Sequence, residues 1–230
     1  MTNIEEAVKE EKIDELTTIL PHIKPSSEYL FLAISLIKPQ ATKAIFGFYN
    51  HTFTNSTNKY GDTPLKTAIY SYHTSKPEKK NKALEIVELT IANSDNINIK
   101  DSYNNTAISI SSFLNLPEVT SLLLQYNANY TITDHTENAA LDKALWEGHT
   151  DVVLSFFAHN SSLKDAPTLY QGQTPLIKML YGQKVEMVKF LLDQQVDINA
   201  PTADGTLPLD IARELGNTEI LGLLENHQLD

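Results

Sequence analysis

The chain has 230 residues, 41% of them hydrophobic, enough to bury a sizeable core. Twenty-nine acidic residues against 18 basic ones leave a formal charge of -11, a field that repels phosphate backbones and excludes a nucleic-acid partner from expectation. With no cysteine, disulfides, thiolate metal sites and cysteine nucleophiles are excluded as well.

The opening stretch MTNIEEAVKEEKIDELTTIL is acidic from the start and lacks the basic head and apolar run of a secretory signal, so a cytoplasmic chain is expected. IEEAVKEEKIDELTTIL and YLFLAISLIKPQATKAIFGFYN each read as a pair of short amphipathic helices. The Glu and Lys residues of the first pair would face water and cap the N-terminal end of a stack. HTFTNSTNKYGD reads as an extended linker, closing an N-terminal region over residues 1–57. No segment approaches the roughly 20 apolar residues that span a bilayer. Sequons at Asn50, Asn55, Asn104, Asn129 and Asn160 reflect a chain rich in Asn, Ser and Thr.

From residue 58 onward a period governs the chain. The apolar residue that opens the first helix of each pair falls at Leu65, Ile108, Leu141, Leu176 and Leu209, at spacings of 43, 33, 35 and 33. The second helices, EIVELTI, EVTSLLL, DVVLSFF, EMVKFLL and EILGLLE, recur in step. In GDTPLKTAI and GQTPLIKML the Thr63 and Thr174 hydroxyls can cap a helix start, and Pro64 or Pro175 loses nothing at the first helical position. In ALWEGHTDVVLSFFAHN, Gly148 can end one helix in the left-handed conformation before the next begins, and Gly216 takes the same place in the last pair. After the second helices stand Ser94, Asn127, Asn160 and Gln195, where the asparagines tolerate that backbone.

These openings, the turn WEGHTDVV and the linker VDINA resemble the ankyrin repeat family, whose unit is about 33 residues with a T-P-L-H-x-A opening. The resemblance covers residues 58–230. Thr-Ala precedes Ile108, ENAAL has neither Thr nor Pro, and the opening His is replaced throughout. The resemblance implies an all-α ankyrin-repeat solenoid of about seven stacked helix-turn-helix pairs with hairpin-like linkers, the first two degenerate, in which no pair is stable alone.

In that family, the resemblance implies, partner contacts come from the hairpin tips and the last turn of the first helix, along a concave groove. Those slots hold Tyr60 and Tyr70, Tyr103 and Phe113, His135 and Trp146, and Tyr170 and Tyr181, followed by Asp204 and Glu214. Rings in eight successive slots point to binding of a protein or peptide, because Tyr and Trp offer stiff contact area with a polar handle. The competing reading packs the same rings between repeats. Asp142, Asp204, Asp210 and Glu214 near that face favour a partner with basic residues.

The first ankyrin-like pair carries an insertion at about 73–82, SYHTSKPEKKNKAL, gathering Lys76, Lys79, Lys80 and Lys82 against the global charge. It reads as a solvated flexible loop at the helix ends opposite the tips, outside the groove; docking an acidic partner or a membrane surface is the alternative. His149 occupies the family's Gly-His slot, where a structural hydrogen bond is expected, and Asn199 reads as a hairpin Asn.

No phosphate-loop, dinucleotide, zinc-protease, nucleophile-elbow or EF-hand motif is present, and the seven histidines are scattered without metal-ligand spacing. The expectation is a non-enzymatic, cofactor-free and metal-free interaction module, monomeric alone. The alternatives are a microbial effector engaging a protein in a host cytosol, an enzyme with its site in the N-terminal third, and a spacer whose rings are packed away.

Overall fold

The computed structural model describes residues 3–101, 103–167 and 172–227. Among them every regular element is helical. The α-helices are α1 (Ile4–Glu10), α2 (Ile13–Ile19), α3 (Ser27–Ser35), α4 (Pro39–Tyr49), α5 (Pro64–Thr74), α6 (Lys80–Ala92), α7 (Ala107–Phe113), α8 (Pro117–Gln125), α9 (Ala140–Glu147), α10 (Thr150–His159), α11 (Pro175–Tyr181), α12 (Val185–Asp193), α13 (Pro208–Leu215) and α14 (Thr218–His227). Each odd-numbered helix packs on the even-numbered one that follows it. The chain divides into two compact units, residues 1–102 and 103–230.

In the N-terminal unit α3 packs between α1 and α5, and α4 between α2 and α6. Leu16, Leu20, Leu30, Ile34, Ile45, Ile69 and Ile86 are fully buried there. Each such side chain contributes about 1.5–3 kcal/mol relative to exposure. Because each helix is apolar on one face, no pair closes this core without its neighbours.

The insertion departs from expectation: its residues lengthen both helices instead of forming a flexible loop. α5 spans 11 residues and α6 spans 13, joined through a 3-10 turn at Pro77–Lys79, whereas α7 spans only 7. The reason lies in the carbonyls that end α5. Lys80 Nζ donates to Tyr72 O at 2.6 Å, the Ser75 hydroxyl donates to the same oxygen at 2.8 Å, and the Lys80 ammonium stands 4.0 Å from the centroid of the buried Tyr72 ring.

In the C-terminal unit α7, α9, α11 and α13 pack side by side, α8 packs on α10, and α12 on α14. Ile108, Leu123, Leu124, Leu145 and Phe156 fill the core. Thr174 caps α11 by accepting from Ile177 N at 3.3 Å, as Thr63 caps α5 from Lys66 N at 3.2 Å. Ala139 has no such side chain, so the Asp142 carboxylate reaches back to accept from Ala139 N at 3.0 Å. Gly148 and Gly216 end α9 and α13 in the left-handed region, at φ 78° and 68°.

Asn127 and Gln195 adopt the same backbone after α8 and α12, but Ser94 and Asn160 do not. Asn160 is extended at φ -148°, and its side chain accepts from Ser162 N to open a 3-10 turn at Ser161–Lys164. An Asn free to cap has an alternative to the strained left-handed turn, and it takes it.

Candidate partner-binding surface

The tips between pairs are built by one device repeated. A residue with positive φ stands at Gly61, Asn104, Glu137, Gly172 and Gly205, in step with the apolar residue that opens each following helix. A side-chain oxygen ties each well-defined tip together. Asn58 Oδ1 accepts from Tyr60 N and Asp62 N, Asp134 Oδ1 from Thr136 N and Asn138 N, and Thr202 Oγ1 from Thr206 N. These turns hold Tyr60 and His135 at defined places.

Lysines near the helix starts then bind tip to helix. Lys66 Nζ pairs with Asp62 at 2.9 Å and Asp101 at 3.0 Å, and Lys143 Nζ pairs with Asp134 and donates to Asn105 Oδ1. Lys178 Nζ lies 2.7 Å from Asp142 Oδ1 and 3.2 Å from Asn138 Oδ1, with the lysine 7% and the aspartate 1% exposed. Burial lowers the pKa of Lys66, but its bonds to Asp62 and Asp101 outweigh that and raise it overall. The expectation that Asp142 attracts a basic partner fails here, because its carboxylate is buried and already neutralised. Asp204, Asp210 and Glu214 are exposed.

Tyr60, Tyr70, Tyr103, Phe113, His135, Trp146 and Tyr181 are all exposed, whereas Tyr170 lies outside the described residues. Phe113, Trp146 and Tyr181 occupy one register position near the ends of α7, α9 and α11, and Tyr70 occupies it on α5. The rings are not all free of the scaffold. Lys66 stands 5.8 Å from the Tyr70 ring, Asn104 Nδ2 lies 3.2 Å from His135 Nδ1, and Lys184 stands 4.8 Å from the Trp146 ring. Trp146 keeps 47% of its surface open, so packing and exposure share one side chain. A spacer would require these rings to be packed away, which the described ones are not.

In the N-terminal unit Tyr60, 75% exposed, lines a groove of about 690 Å³ with Phe31, Leu32 and Ser35 of α3. Phe31 and Leu32 carry no repeat signature, so sequence spacing does not single them out. His149 Nε2 lies 3.0 Å from Phe113 O and carries the proton donated there, the structural role expected of it.

The N-terminal third also holds an apolar pocket of about 670 Å³ lined by Ile4, Ile19 and Ile23 together with Asp14, Glu15 and His22. Of its ionisable groups Asp14 and His22 are exposed, while Glu15 is partly buried with its Oε2 shielded from solvent and without a hydrogen-bond partner. Among the described residues no group of three or more His, Asp or Glu could hold a metal ion, and no helix is long and apolar enough to cross a membrane.

Helix pairs, tips in register and left-handed turns have close counterparts among solved structures. The ankyrin repeat domain of Bcl-3, described as a unique member of the IkappaB protein family, superposes with a TM-score of 0.71 over 98% of both chains at 14% identity. The ankyrin repeat protein EF0377 gives 0.64 over 88% of this chain and 98% of its own, at 20% identity. The family described as ankyrin repeats in many copies matches residues 164–212. Residues 164–212 match ankyrin repeats in sequence, and the chain has the fold of an ankyrin repeat solenoid. An ankyrin repeat protein of Fowlpox virus (strain NVSL) is 29% identical over 158 residues, 64% of this chain and 45% of that protein's length. The repeats span less than half of that viral relative. Ankyrin repeats are in general protein-interaction modules and non-enzymatic scaffolds.

Proposed function

We propose that this ankyrin array binds a protein or peptide through its aromatic face, without a cofactor, as a monomer. The observation that carries the reading is the exposure of Phe113, Trp146 and Tyr181 at one register position on neighbouring first helices. Rings on packed helices are already ordered, so binding immobilises little and the desolvation of flat apolar surface is retained as affinity. The exposed Asp204, Asp210 and Glu214 at the C-terminal end favour basic residues in the partner.

The test is affinity capture from a native lysate with the wild type and with a variant carrying Tyr103→Ala, Trp146→Ala and Tyr181→Ala. Proteins retained by the wild type and lost by a folded triple variant are expected; an identical set from both defeats the reading. A second reading, in which the partner belongs to a host cell and the chain works in its cytosol, is favoured by the Fowlpox virus relative. A capture from host lysate that retains nothing specific overturns it.

A further inference from the structure

The lengthened helices of the α5–α6 pair build a feature of their own. Lys76, Lys79, Ser35, Ser71, Thr74 and Glu78 line a polar cleft of about 300 Å³ at the C-terminal ends of α3 and α5 and the turn between α5 and α6. Thr74 and Ser75 donate their hydroxyls to the Tyr70 and Tyr72 carbonyls, which holds the helix end in shape. Ser35 and Ser71 make no such bond among the described residues, and neither Lys76 nor Lys79 forms an ion pair there.

Lys76 and Lys79 bring two positive charges to one cleft in a chain of charge -11, and neither is neutralised as Lys66, Lys143 and Lys178 are by their carboxylate partners. Two lysines and two hydroxyl donors lining one small polar space match the charge and the acceptor-rich oxygens of a phosphoryl group, with the two ammonium charges set against the partial negative ends of α3 and α5. The recess favours a side chain that can enter over a flat membrane surface. Ser35 also lines the groove of Tyr60, Phe31 and Leu32, so cleft and groove adjoin along α3. The lysines themselves stay outside the groove, as expected, and Ser35 is the residue the two recesses share.

We propose that the Lys76–Lys79 cleft takes the phosphoryl group of a phosphoserine or phosphothreonine on a peptide lying in the adjoining Tyr60 groove. The peptide half rests on the aromatic-face reading above; the phosphoryl half rests on the lining of the cleft alone. Glu78 is the one carboxylate in the lining and opposes the ligand, which gives the test a sign in both directions.

The experiment has two arms on the full chain. Inorganic phosphate is titrated against sodium chloride of equal ionic strength while amide signals of Ser71, Ser75 and Lys76 are followed by NMR. A Ser-centred degenerate peptide library is then compared in phosphorylated and unphosphorylated form by fluorescence anisotropy.

Expected are saturable shifts with phosphate and roughly tenfold tighter binding of the phosphorylated library, equivalent to about 1.4 kcal/mol. K76Q/K79Q, shown folded by circular dichroism, should lose that preference, the off-cleft K82Q should keep it, and E78Q should strengthen it. Absence of saturable shifts overturns the site, as does equal loss in K82Q, which would reduce the effect to net charge. Equal binding of both libraries overturns the inference and leaves the groove reading standing. Saturation by phosphate with neither library bound overturns the peptide assignment. Binding to phosphatidylserine vesicles without a phosphopeptide preference reassigns the cleft to a membrane and overturns the proposal.

Discussion

The six-membered ring of Trp146 lies against the backbone of Gly182, so close that a β-carbon at position 182 would stand 2.9 Å from Trp146 Cζ3. Half of the indole is thereby committed to the contact between α9 and α11, and the other half is open. Gly182→Ala should swing the ring into water, and because Trp146 is the only tryptophan its emission should shift to the red. Trp146→Ala should weaken the partner by about 2 kcal/mol and lower stability by about 1 kcal/mol, since a partly buried ring leaves a partial cavity. Calorimetry with the captured partner checks the first figure and urea unfolding the second; unchanged affinity removes Trp146 from the site.

Lys178 and Asp142 form a buried pair that joins α11 to α9. Removing the cation alone strands a carboxylate in the core, so Lys178→Met should cost about 3–5 kcal/mol. Adding Asp142→Leu should recover most of that loss, short of about 1 kcal/mol for the missing helix cap. Urea midpoints of both single variants and the double variant decide it, and additive losses would refute the coupling.

Gly148 and Gln195 share a left-handed backbone, at φ 78° and 58°, but only one has the residue suited to it. Gly148→Ala meets nothing within 4 Å, so its expected loss of about 1 kcal/mol is conformational. Gln195→Gly, at an exposed position, should gain about as much. Thermal midpoints moving in the same direction for both changes would contradict this account.

Asp134 carries a pH dependence. Burial alone would raise its carboxyl, but the Lys143 ammonium, the Thr136 hydroxyl and the backbone N–H groups of Thr136 and Asn138 outweigh it and bring the pKa from 3.8 to about 2. A folded value below the unfolded one stabilises the protein above pH 3.8, and the benefit fades as the pH falls toward 2. Melting across that window should show a falling midpoint, with a flatter slope in Asp134→Asn. An identical acid limb in the variant would count against the Lys143 pairing.

Much of this fold is legible along the chain because its determinants are local. Thr63-Pro64, Thr174-Pro175, Gly148 and Gly216 act within a few residues of where they stand, and they cap or end helices as their chemistry dictates. What escapes sequence reading is set by distant neighbours. Nothing near Asp142 announces that Lys178 will bury and neutralise it. Nothing near Lys80 shows that its ammonium will close the carbonyl end of α5 and turn a polar insertion into helix. The exposed rings follow from their place in the repeat, but Phe31 and Leu32 join the Tyr60 groove through packing that no period encodes.

The lysine bridges also limit how such a chain can evolve. Lys178 finds Asp142 and Asn138 in the preceding repeat, and Lys143 reaches back to Asn105 in the one before that. Lys143 carries its counter-charge, Asp134, within its own repeat, but a copy of the Lys178 repeat moved elsewhere would arrive without Asp142, so that unit is inherited intact only together with the neighbour before it.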